Sequence, residues 1–125
     1  MKLDKYDRMF STYVRLKERI SGTELIKCCC CGKVIHWKNS QNAHYTPREH
    51  LATRYDEHNC HACCEDCNCY KGGNLPKYKA FLKSKYGSKE VERLEKAKFE
   101  TVKLSKSYLD EMLKFWNAQI KIMTK

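Results

Sequence analysis

Nine cysteines crowd into two short stretches of this 125-residue chain, "KCCCCGK" at 27–33 and "CHACCEDCNC" at 60–69. Thiolates are soft ligands, and two cysteines separated by two residues form a tight knuckle that offers both sulfurs to one zinc ion. In the first stretch only Cys28 and Cys31 have that spacing, followed by Gly32, which permits the turn. In the second, Cys60 with Cys63 and Cys64 with Cys67 both qualify. Zinc held by four thiolates keeps no open position, so a metal bound this way is structural. The interval between the knuckles carries "NAHYTPREH" at 42–50 and "HNCHACCEDCN" at 58–68, where histidine, asparagine and arginine offer a proton acceptor, neutral oxygens and phosphate contacts.

A histidine at the end of a strand, an asparagine shortly before a knuckle and an asparagine directly after its last cysteine resemble the pattern of the His-Asn-His (HNH) nucleases, with His44, Asn59 and Asn68 in those places. The resemblance extends to the phage NinG, or Rap, recombination proteins. Their C-x-x-C-G, A-G-H-F, R-[FY]-D-E-x-N-V-H, C-x-x-C-N, G-N and Y-G motifs are similar, in order and spacing, to Cys28–Gly32, the stretch ending "NAHY", "RYDEHNCH", "CEDCN", Gly73-Asn74 and Tyr86-Gly87. Ala43 replaces the usual glycine of that family. This register makes Cys28, Cys31, Cys64 and Cys67 the structural zinc ligands and leaves Cys29, Cys30, Cys60, Cys63 and Cys69 as buried or free thiols rather than a second zinc site.

The resemblance implies a structure-selective DNA endonuclease that hydrolyses phosphodiesters in branched recombination intermediates with a catalytic Mg2+ or Mn2+. His44, if neutral, can take the proton of the attacking water. Asn59 cannot act as a base, so its expected part is to fix the strand-to-helix loop or the His44 ring by hydrogen bonds. Asn68 offers a carbonyl oxygen suited to a hard divalent ion. Many HNH nucleases place a metal-binding aspartate just before the first histidine, where this chain has Ala43, so a second ligand is sought in Asp56 or His61. Arg48 and Arg54 are candidate phosphate contacts, although Arg54 could instead pair with Asp56 or Glu57. The competing expectation is a zinc-stabilised DNA-binding recombination adaptor without catalysis, which Ala43 favours. Cutting both strands of a symmetric four-way junction would call for a homodimer.

The elements that must position these residues follow from hydrophobic period. Leu3, Tyr6, Met9, Phe10, Tyr13, Val14 and Ile20 predict an amphipathic helix over 3–20, closed by Ser21-Gly22. "KVIHWKNSQNAHY" predicts a hairpin of two strands, about 33–38 and 41–46. Asn74 is placed to cap a helix from Leu75 to Tyr86, and two more helices follow, one with Val91, Leu94 and Ala97 on one face, the other beginning near Ser105. The expected fold is one α+β domain over 1–125: an N-terminal helix (1–22), a ββα-metal, HNH-like core with a four-cysteine zinc site (27–87), and C-terminal helices (88–125).

Net charge is +10, and residues 71–125 hold most of the excess. Lys71, Lys77, Lys79, Lys83, Lys85 and Lys89 have no acidic residue among them, which points to a DNA backbone as partner. An odd cysteine count, adjacent cysteines, the lack of a signal-peptide pattern and the lack of a long apolar run predict a reducing cytoplasm and no membrane contact. With the family resemblance, that is the cytoplasm of a bacterial host, the protein being phage or prophage encoded.

Overall fold

The computed structural model describes residues 2–125. Helix α1, Asp4–Lys17, buries Tyr6, Phe10, Tyr13 and Val14 at three- and four-residue steps, with Asp4 and Asp7 in its first turn and Arg15 and Lys17 in its last, the arrangement its dipole favours. It ends before Ile20, which lies in the turn through Gly22 and donates its N–H to the Leu25 carbonyl at 2.7 Å.

Two small antiparallel ribbons follow. Strand β1, Leu25–Lys27, pairs with β2, Val34–His36, and the loop at their tip is the first cysteine knuckle, closed by the Cys28 N–H on the Lys33 carbonyl at 2.8 Å. Strand β3, Gln41–His44, pairs with β4, Cys60–Cys63, in the register His44 opposite Cys60 and Ala43 opposite His61. The expected hairpin between 33–38 and 41–46 does not form. Residues Trp37–Asn39 make a 3-10 turn that sends β2 back to β1, where Ile26 is fully buried, and sends β3 on to β4.

Between β3 and β4 lies the short helix α2, Leu51–Arg54. Beyond β4 come the second knuckle and a single π-type turn, Asp66–Tyr70. Gly72, Gly73 and Asn74, all at positive φ, then redirect the chain into α3, Leu75–Tyr86. Asn74 caps α3 by backbone only: its carbonyl accepts the Tyr78 N–H, while its side chain is given to Cys67. Gly87, at φ +91°, separates α3 from α4, Ser88–Ala97, which buries Val91, Leu94 and Ala97. Ser105 Oγ accepts the Tyr108 N–H at 3.1 Å and opens α5, Lys106–Met123.

The fold is thus α+β, with apolar clusters on both sides of the β3–β4 ribbon. One gathers cysteines, Ala43 and residues of α3 and α4, including Tyr78, Leu82, Val91 and Leu94. The other joins α1 to α5 through Phe10, Leu109 and Trp116, with Cys60 at its edge. Among the described residues, no helix is long and apolar enough to cross a membrane.

Candidate metal centre and the adjoining cleft

The sulfurs of Cys28, Cys31, Cys64 and Cys67 all lie within 4.8 Å of one another, so this set could hold a structural metal such as zinc. Cys31 Sγ and Cys64 Sγ are 3.7 Å apart, close to the edge of about 3.8 Å that four ~2.3 Å Zn–S bonds give in a tetrahedron. Backbone donors already face the sulfurs: Cys30 N–H is 3.4 Å from Cys28 Sγ, and Cys67 N–H is 3.5 Å from Cys64 Sγ. Asn74 Nδ2 adds a third donor at 3.4 Å from Cys67 Sγ. Cys60 is remote from the set, buried beside α1 with its thiol on the Arg54 carbonyl. Cys69 is exposed.

Beside the second knuckle opens a cleft of about 580 Å³ whose walls include His44, Asn42, Asn68, Asp7, Arg48 and Gly73. His44 sits at the end of β3 with Nε2 2.9 Å from the Arg54 carbonyl. A carbonyl only accepts, so this bond places the proton on Nε2 and leaves Nδ1 as the acceptor. Burial lowers the His44 pKa, outweighing the upward pull of the Arg54 carbonyl and Asp7, so the ring is neutral at neutral pH. Asn42 lies two residues earlier on the same strand face, and its buried Oδ1 has no hydrogen-bond partner among the described residues. Asn68 donates Nδ2 to Gln41 Oε1 at 2.6 Å, which leaves its carbonyl oxygen as the other end of the amide.

Asp7 is the cleft's carboxylate, supplied by α1. Burial raises its pKa, but Arg54 at 3.0 and 2.5 Å, the Tyr55 hydroxyl at 2.8 Å and the Arg48 charge outweigh burial and keep it ionised. Arg54 therefore pairs with Asp7, not with Asp56 or Glu57, and little of its side chain is left for a phosphate. Arg48 is exposed and only 3.9 Å from Asp7, so it stays available.

Asn59 is fully buried and fully bonded. Its Oδ1 accepts the Thr46 N–H at 2.8 Å, and Nδ2 donates to the Thr46 and Thr53 carbonyls at 3.1 Å each. It ties the segment after β3 to α2 and makes no bond to the His44 ring. The two candidate second ligands are placed elsewhere. Asp56 caps the turn before Asn59 and pairs with Arg93 at 2.8 Å. His61, facing opposite to His44 on the ribbon, is buried between the Tyr78 and Tyr86 hydroxyls, and burial first, then nearby positive charge, lowers its pKa to about 3. Of the lysines, Lys77 and Lys83 are exposed on α3, Lys79 pairs with Glu95 of α4 at 3.2 Å, and Lys71 with Asp66 at 3.3 Å. The segment that lacks acidic residues in sequence is thus partly neutralised in space.

The sequence reading missed Asn42 and Asp7. Strand alternation from His44 was a usable signal for Asn42, whereas nothing local to residue 7 points 37 positions downstream. A family model described as "Bacteriophage Lambda NinG protein" matches residues 3–125. No curated protein and no solved structure matches.

Proposed function

We propose that this chain, which belongs to the bacteriophage lambda NinG family, is a structure-selective DNA endonuclease that hydrolyses phosphodiesters in branched recombination intermediates. Membership suggests a recombination-related phage function; the step to nuclease chemistry is carried by His44, a neutral imidazole fixed through Nε2 with its other nitrogen free to accept a proton, on the wall of an open cleft. In this reading β3, β4 and the helical turn Asp66–Tyr70 form the ββα-metal core. A divalent ion fits the cleft because Asn42 Oδ1 is a buried oxygen without a partner and Asn68 contributes a second neutral oxygen. When bound, an Mg2+ or Mn2+ ion would neutralise charge on the non-bridging and leaving oxygens. His44 Nδ1 takes the water's proton, the Arg54 carbonyl holds the ring, and Asn59 holds the loop that carries that carbonyl. Arg48, Lys77 and Lys83 supply charge for flanking phosphates, and two copies would serve the two strands of a symmetric junction.

The test is cleavage of linear, flap, fork and four-way-junction DNA by purified protein. EDTA abolishes cleavage and added Mg2+ or Mn2+ restores it, while the thiolate-held zinc stays bound. His44→Ala lowers the rate at least ~10²-fold with zinc content and DNA affinity unchanged. The acid limb of the rate profile lies below the ordinary imidazole value of about 6.5, because burial disfavours the charged ring. Full activity in His44→Ala rejects the mechanism. No cleavage of any branched substrate by the unmutated protein leaves a DNA-binding adaptor, the reading that Ala43 and the Arg54-bound Asp7 favour.

A further inference from the structure

Three cysteines outside the four-thiolate set also converge. The sulfurs of Cys29, Cys30 and Cys63 lie within 4.8 Å of one another, with Cys29 to Cys30 at 3.8 Å and Cys30 to Cys63 at 4.0 Å. These separations again match the tetrahedral edge of about 3.8 Å for zinc–thiolate bonds. The convergence is fixed by backbone rather than by chance rotamers. Cys29 N–H donates to the Ala62 carbonyl at 3.1 Å, pinning the first knuckle against β4 beside Cys63, and the Cys30 sulfur reaches the Gly73 carbonyl at 3.6 Å. Cys28 Sγ, a member of the first set, stands 3.6 Å from Cys63 Sγ and so touches both groups.

We propose that Cys29, Cys30 and Cys63 hold a second zinc ion whose fourth ligand is Cys28, shared as a bridging thiolate with the knuckle zinc. The chain would then carry a two-metal, seven-cysteine cluster in place of a single four-cysteine site. Each cysteine that binds releases its thiol proton to solvent, and two Zn2+ on seven thiolates leave a net charge of −3. Lys27 and Lys77 line a cleft of about 490 Å³ against Cys28, Cys29 and Cys30, which provides both compensating positive charge and a path for the metal. Burial alone does not require three sulfurs to meet, whereas a shared ion does.

The experiment is zinc stoichiometry on the full chain, purified under reducing conditions with zinc supplied and then dialysed to remove loosely held metal. The expected value is two zinc per chain, falling to one in Cys29→Ser with Cys63→Ser, with helix content unchanged by circular dichroism. Should that double variant fail to fold, Cys30→Ser alone must also fall below two. In the 113Cd-substituted protein, two resonances coupled through the shared sulfur are expected. One zinc in the unmutated protein, two retained in the variants, a disulfide among the three cysteines detected by mass, or two uncoupled cadmium resonances would each overturn the proposal.

Discussion

At the scale of single residues, Asn59 and Glu18 are polar side chains that fix backbone at the ribbon, Asn59 at its loop and Glu18 on β4. Asn59→Ala leaves the Thr46 N–H and the Thr46 carbonyl without partners and removes one of the donors to the Thr53 carbonyl, so the expected loss is roughly 3 kcal/mol, read as a lower urea midpoint at constant m-value. Glu18, at the end of α1, accepts the Ala62 N–H of β4 at 2.9 Å; burial raises its pKa to about 7, against the pull of that N–H, Lys17 and Lys85. Between about pH 4.5 and 7 the folded chain holds a proton that the unfolded chain has lost, so stability falls as pH rises through that window. Glu18→Gln removes this slope and is more stable than the unmutated protein above pH 7, by up to ~3 kcal/mol in denaturation measurements. His44, Asn59 and the thiolates stand out in the sequence because each sits in a spaced motif, and the structure puts the Cys28, Cys31, Cys64 and Cys67 sulfurs together and His44 on the cleft wall. Asp56 and His61, the expected second ligands, are neighbours of Asn59 along the chain but face Arg93 and the tyrosines of α3 in space.

At the scale of elements, the helices were legible and the strand partners were not. Helical period reports which face is buried, as Val91 and Leu94 on α4 and Leu109 and Trp116 on α5 confirm. Alternation in 33–46 reports that strands exist but not which strand each will meet. Here the 3-10 turn Trp37–Asn39 decided, together with β1 and β4, whose three and four residues are too short to show a period. Lysine positions on α3 were legible as a charged run, yet their pairing with α4 was not. Neutralising Lys77 and Lys83 to Gln is expected to weaken binding to every DNA substrate alike and to lower the slope of log K against log salt by about 2. Lys79→Gln should change that slope less, since Glu95 already holds its charge.

At the scale of the whole molecule, the two apolar clusters differ in the span of chain they must gather. The knuckles enclose residues 32–63, which include β2, β3, α2 and β4 and so the side of the cleft's wall that carries Asn42, His44 and Arg48. The union of α1 with α5 brings together residues 104 apart, Tyr6 with Asp110 and Arg19 with Met123. A metal held by both knuckles ties off the shorter span in advance and removes a closure cost of roughly 3 kcal/mol from the search that follows. A metal bound there would set the order of assembly: in stopped-flow refolding, the zinc-loaded chain should collapse faster than the stripped one, with amides of β3 and β4 protected before Trp116 is quenched against Phe10. During synthesis the same order would let a ribosome-bound chain take up a metal and form the ribbon that bears His44 as soon as the second knuckle is free, while α5 has still to be translated. The segment that lines the cleft would then be shaped first, and the long-range helical clasp would close over a part already made.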